Sequence, residues 1–122
     1  MSSKPSASTP KTPAASYTEK YVERALVKRC KTHDVICWKL ESPSTSHVPD
    51  RIMLAAGVGA VFAELKRPGG KLRRAQANTI ADMRAHGAEV HVVDTIEAAE
   101  ALADDIARRS AASFKQLDYY MT

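Results

Sequence analysis

The stretch Val48-Pro49-Asp50-Arg51-Ile52-Met53-Leu54-Ala55-Ala56-Gly57-Val58-Gly59-Ala60-Val61-Phe62-Ala63-Glu64-Leu65-Lys66 decides the fold. Asp50 to Ala56 and Ala60 to Lys66 are apolar-rich runs of strand length, and Gly57-Val58-Gly59 between them reads as a tight hairpin. Residues two apart on a strand share a face. Glu64 and Lys66 therefore project together, with Leu65 opposite. With a three-residue loop Ala55 pairs with Gly59, and Asp50 falls opposite Glu64 with Cβ atoms ~5 Å apart. A register shift of two puts Asp50 opposite Lys66, still on the same face; a shift of one moves it to the other face.

Upstream, Ser16-Tyr17-Thr18-Glu19 has capping-box spacing. Val22, Ala25, Leu26 and Cys30 then follow a helical period, which predicts a helix over Tyr17 to Thr32. His33-Asp34 ends it, Val35 to Leu40 is a β-rich run, and Ser42 to Val48 has loop chemistry. Downstream, Pro68-Gly69-Gly70 stops the third strand. Leu72, Ala75, Thr79, Ile80 and Met83 form a helical stripe closed by Gly87. Ala88 to Val93 is a fourth strand. Asp94-Thr95-Ile96-Glu97 opens a last helix whose Ile96, Ala99, Leu102 (or Ala103) and Ile106 face inward. The order α-β-β-β-α-β-α implies an α/β fold, with a mixed central sheet flanked by helices.

Composition sets the frame around this core. Residues 1–16 are rich in Ser, Thr and Pro and read as a disordered arm. The folded unit is expected over 17–109. Residues 110–122 remain ambiguous, because Phe114, Leu117, Tyr119, Tyr120 and Met121 are too apolar for a free tail; they are a candidate for packing on the domain or for a dimer interface. Two Cys exclude a disulfide scaffold, and Cys30 and Cys37 read as free thiols. The longest apolar stretch, Ile52 to Ala63, is broken by Gly57 and Gly59 and is far below the ~20 residues of a membrane helix. No secretory signal is visible near Met1, so a cytoplasmic location without membrane association is expected. The formal net charge is +4, but the local signal is stronger: Lys66 to Arg74, KRPGGKLRR, carries five cations and no acid. Such a patch suits a polyanion such as nucleic acid.

Two opposed carboxylates repel, and a divalent cation with oxygen ligands relieves the repulsion. Lys66 beside them is placed to neutralise charge or position a water. Spacing alone leaves open an ordinary exposed face on which Lys66 pairs with Asp50 or Glu64.

Pro49-Asp50, a hairpin and then Glu64-Leu65-Lys66 resemble the PD-(D/E)XK nuclease motif. Val48 to Ile52, Phe62 to Leu72, Gln76 and Gly87 to Val93, in that order, resemble the VRR-NUC branch of that superfamily in its stand-alone form, over roughly Thr18 to Ala107. The resemblance implies a restriction-endonuclease-like core and a metal-dependent, structure-selective DNA endonuclease using Mg²⁺ or Mn²⁺. It also implies a homodimer cutting four-way (Holliday) junctions or related branched DNA. Flap or restriction-like nucleases, and a non-catalytic DNA-binding scaffold, are the alternatives. Asp50 and Glu64 would be metal ligands, with the Leu65 carbonyl as a third and Lys66 as the catalytic lysine. Glu23 matches the family's first-helix acid, although Glu19, one turn earlier, has an equal claim on spacing. Gln76 matches the family's Gln, and Lys39 a position often held by Lys. With Arg51, Arg67, Lys71, Arg73 and Arg74, Lys39 completes the expected DNA-binding set. His47 stands where the family commonly carries Gly.

Overall fold

The computed structural model describes residues 17–42 and 47–121, apart from the side chains of 114–119. The expected arm (1–16), most of the expected loop (43–46) and the side chains of Phe114, Leu117 and Tyr119 lie outside the described residues. The elements are α1 (Glu19–Thr32), β1 (Ile36–Lys39), β2 (Arg51–Ala55), β3 (Gly59–Leu65), α2 (Arg74–Ala85), β4 (Glu89–Val93) and α3 (Ile96–Met121). The order is the expected one. The strands form one sheet in the order β1-β2-β3-β4. The first three are antiparallel, and β4 runs parallel to β3. Parallel neighbours need a crossover, which α2 provides.

The hairpin has the register read from the sequence: Ala55 faces Gly59 and Arg51 faces Ala63. Gly57 and Gly59 take φ of 78° and 86°, left-handed values that cost a side-chain-bearing residue free energy. The hairpin tip leans on α3, where Ser110 Oγ donates to the Ala56 carbonyl at 2.8 Å.

Strand alternation sorts the sheet into two faces. Met53, Val61, Ala63, Leu65 and Val93 point to one face and are buried beneath α1 and α3. Val22, Leu26 and Cys30 of α1 and Ala99, Ala103 and Ile106 of α3 complete that core. Each large aliphatic side chain so buried contributes roughly 1.5–3 kcal/mol. The opposite face carries Trp38, Ile52, Phe62 and Val90 in one register row. Over this face α2 buries Ile80 and Val90, while Trp38 stays exposed.

One boundary differs from the sequence reading: helix α1 begins at Glu19 with Thr18 as its N-cap and no side-chain cap bond, not at Tyr17 behind a Ser16 cap. Ser16 is outside the described residues. Helix α3 runs on through the segment that the sequence leaves ambiguous, to Met121. Its start is as expected: Thr95 Oγ1 accepts the Ala98 amide at 3.0 Å.

Candidate active site

The site lies at the ends of β2 and β3. Pro49 is fully buried and anchors the chain just before Asp50. Asp50 continues the hairpin register one step beyond β2, and its Oδ2 accepts the Leu65 amide at 2.8 Å. The bond ties one carboxylate oxygen to the backbone of β3. Leu65 itself is 1% exposed and locked into the core, so its neighbours Glu64 and Lys66 turn to the other face together.

Glu64 is the only charged residue among the described residues to count as buried, at 4% exposure. Gln76, in the first turn of α2, holds it in place. One Gln76 amide makes three bonds: Nε2 donates to Glu64 Oε2 at 3.0 Å, and Oε1 accepts both Lys66 Nζ and the Arg73 amide at 3.0 Å. Lys66 Nζ also lies 3.8 Å from Glu64 Oε2. Its side chain is 13% exposed. The start of α2 is thus tied to the ends of a Glu-x-Lys strand.

Burial pushes the Glu64 carboxyl up to about 7; the Asp50 charge adds to the rise and Lys66 opposes it. Glu19 adds a smaller rise. The Glu19 carboxyl is itself raised, by partial burial first and by Asp50 second. The first-helix acid that senses Asp50 and Glu64 is therefore Glu19.

Glu23 is engaged elsewhere. Its Oε2 accepts Arg51 Nε at 2.9 Å and Lys39 Nζ at 3.5 Å. The cause is strand parity. Lys39 and Arg51 are register partners on the face that α1 covers, where Glu23 also points. Arg51, expected on DNA, is instead turned inward: its side chain is 17% exposed, and its Nη1 also donates to the Cys37 carbonyl. Arg67, Lys71, Arg73 and Arg74 are exposed along the segment from β3 into α2.

Among the described residues no three His, Cys, Asp or Glu side chains form a ready-made metal cluster. The ligating groups that do lie near one another are the carboxylates of Asp50, held by the Leu65 amide, and Glu64, which feels its charge. Such a set suits a hard cation that keeps several waters, Mg²⁺ above all. The raised Glu64 carboxyl fits as well, since a buried acid facing a second acid calls for more positive charge than Lys66 supplies. An open groove of about 820 Å³, lined by Val48, Asn78, Thr79, Asp82 and Met83, runs along α2. Among the described residues no helix is long and apolar enough to cross a membrane.

No protein-family model matches the sequence, and no curated protein matches it. A solved structure described as a VRR_NUC domain aligns with a TM-score of 0.63 at 24% identity, covering 70% of this chain and 94% of its own. The chain has the fold of a VRR_NUC domain, as its motifs implied.

Proposed function

We propose that this protein is a metal-dependent DNA endonuclease that hydrolyses phosphodiester bonds and selects its substrate by DNA structure. The observation that carries the reading is the buried Glu64, coupled to Asp50 and held with Lys66 by a single Gln76 amide. A solvated surface has no need of such a clamp.

Asp50, Glu64 and the Leu65 carbonyl would hold Mg²⁺ or Mn²⁺, which when bound supplies a Lewis acid for the phosphoryl oxygen and lowers the pKa of a coordinated water. Glu19 would join them directly or through water. The chain's own groups do the rest. Gln76 fixes the Glu64 carboxylate and the Lys66 ammonium in one arrangement before substrate arrives, so no reorganisation is needed during reaction. Lys66 stabilises charge that builds on the phosphoryl group and holds the attacking water's hydrogen-bond network. Arg67, Lys71, Arg73 and Arg74 supply contacts to neighbouring phosphates, which position DNA without reading its sequence.

The substrate is branched DNA, four-way junctions in particular, cut by a homodimer acting in the cytoplasm. One consideration supports this: a two-fold dimer presents two sites to two strands of a symmetric branch.

The test is incubation of the purified protein with labelled four-way junction, flap, linear duplex and single-stranded DNA, in Mg²⁺, Mn²⁺ or EDTA. Paired, metal-dependent cuts near the branch, lost in Asp50→Ala with binding retained, are expected. Binding without cutting in any metal would replace the enzyme reading with that of a scaffold.

A further inference from the structure

The sheet face that carries Glu64 continues away from the carboxylates as an open apolar surface. Ile36, Trp38, Ile52, Leu54 and Phe62 share that face by register. Ile36 is 42% and Trp38 59% exposed, and the other three are partly exposed. Trp38 is the only tryptophan of the chain. It pairs with Ile52, two residues from Asp50. Strand geometry then puts its Cα ~7 Å along the sheet and ~5 Å across from that of Asp50. That is within reach of the nucleotide next to a phosphate held at the carboxylates.

What covers this face follows from its size and its neighbours. Trp38 offers roughly 100–150 Å² of indole surface. The five side chains together offer a few hundred Å², well below the ~800 Å² per partner of a standard protein interface. The face is continuous with the candidate site, and the cationic segment from Arg67 to Arg74 leaves β3 at the site's other side. A polyanionic strand drawn along those cations and across Glu64 and Asp50 arrives at the indole. A flat, uncharged occupant of one ring's area, attached to such a strand, is a nucleobase, and only a base freed from the duplex stack has a free face.

We infer that Trp38 is a stacking platform for a base freed from the duplex stack, at a branch point or in an unpaired arm, so that the enzyme reads an interrupted stack beside the bond it cuts. The inference rests on the nuclease reading above and names how that site selects its substrate. Ile36 and Ile52 are neighbours of Trp38 on the same face by register.

The lone tryptophan makes the test direct. The full-length protein in EDTA is titrated with a forked duplex bearing unpaired thymidine arms, and with the same duplex fully paired. Indole emission follows stacking, and anisotropy of labelled DNA follows binding. Saturable quenching by the fork, and none by the paired duplex, is expected. Trp38→Ala should bind the fork about 5- to 150-fold more weakly, with paired-duplex affinity unchanged. Trp38→Phe, which keeps a stacking ring, should recover most of the loss. Fork binding with no change in emission, or with equal affinity in Trp38→Ala, overturns the platform and leaves the nuclease reading standing. Failure to bind or cut any DNA removes both. Emission that is blue-shifted with rising protein concentration, or that red-shifts when residues 1–16 are removed, assigns the face to a second copy or to the N-terminal segment and overturns the platform.

Discussion

Gln76 is the residue on which the site's geometry turns. Its amide nitrogen holds Glu64 and its carbonyl oxygen holds Lys66. Gln76→Ala leaves both side chains in place but free to rotate. Loss of such an orienting contact typically costs 10- to 100-fold in activity or metal affinity. Single-turnover cleavage should fall by about that factor while the melting temperature moves little; an unchanged rate would show that Glu64 and Lys66 need no clamp. The two acids of α1 separate in the same way. Glu19→Gln should reduce metal-dependent cleavage without loss of stability. Glu23→Ala should leave Arg51 without its carboxylate and cost about 1–3 kcal/mol in urea unfolding, with cleavage by the folded protein retained. The reverse assignment of effects would return the metal-facing role to Glu23. Asp50, Glu64 and Lys66 are legible in the sequence through strand parity, and Gln76 only through the resemblance to the VRR-NUC family. The pairing of Glu23 with Arg51 is not legible, since Glu19 and Glu23, four apart, share a helix face. Strand parity holds part of the clue: Arg51, two residues from the core residue Met53, shares its face, and the register then sets Lys39 beside it, both within reach of Glu23.

At the scale of the element, the hairpin was legible down to its register. A three-residue turn and a period of two leave one solution that buries Met53 and Val61. Its glycines are not equivalent. A Cβ at Gly57 would collide with the Ser113 side chain on α3, in a backbone with φ of 78°, whereas one at Gly59 meets nothing nearby. Gly59→Ala should cost about 1–2 kcal/mol from backbone strain alone. Gly57→Ala should cost about 1–3 kcal/mol more, because the hairpin tip or α3 must shift. Chemical denaturation of the two variants checks this, and equal losses would mean that α3 is free to move away from the tip. The length of α3 is left open by the apolar pattern, although a signal for it is present. No Gly or Pro occurs from Ala88 to Thr122, so nothing breaks a helix once Thr95 has started it.

Across the whole molecule, two acids set opposing dependences on pH. Glu89, on the edge strand β4, accepts both Nη atoms of Arg109 on α3 at 2.9 Å and His91 Nε2 at 2.8 Å. Arg109 first and His91 second pull its carboxyl down to about 2. A value below the ordinary 4.5 means that this clamp stabilises the fold above about pH 4.5 and is lost as pH falls through about 2. Asp104, lowered first by His33, acts in the same direction. Glu64 works the other way. Its value of about 7 lies above 4.5, so its neutral form favours the fold at low pH, and that contribution is lost as pH rises from about 4.5 through about 7. Glu19, also raised, adds to this loss. Without metal the melting temperature should therefore peak on the acid side, near pH 5, and decline toward pH 8. Mg²⁺ binds the ionised carboxylates and competes with the Glu64 proton, so its affinity should rise with pH through about 7, and binding below that pH should release a proton. Saturating Mg²⁺ should then remove the alkaline decline and move the stability maximum above pH 7. Thermal unfolding from pH 3 to 9, in EDTA and in Mg²⁺, measures both halves. If the EDTA profile is flat between pH 5 and 8, Glu64 is not the buried, uncompensated acid described above. If the profile declines but Mg²⁺ leaves it unchanged, Asp50 and Glu64 do not form the metal site, and the nuclease reading loses its chemical basis.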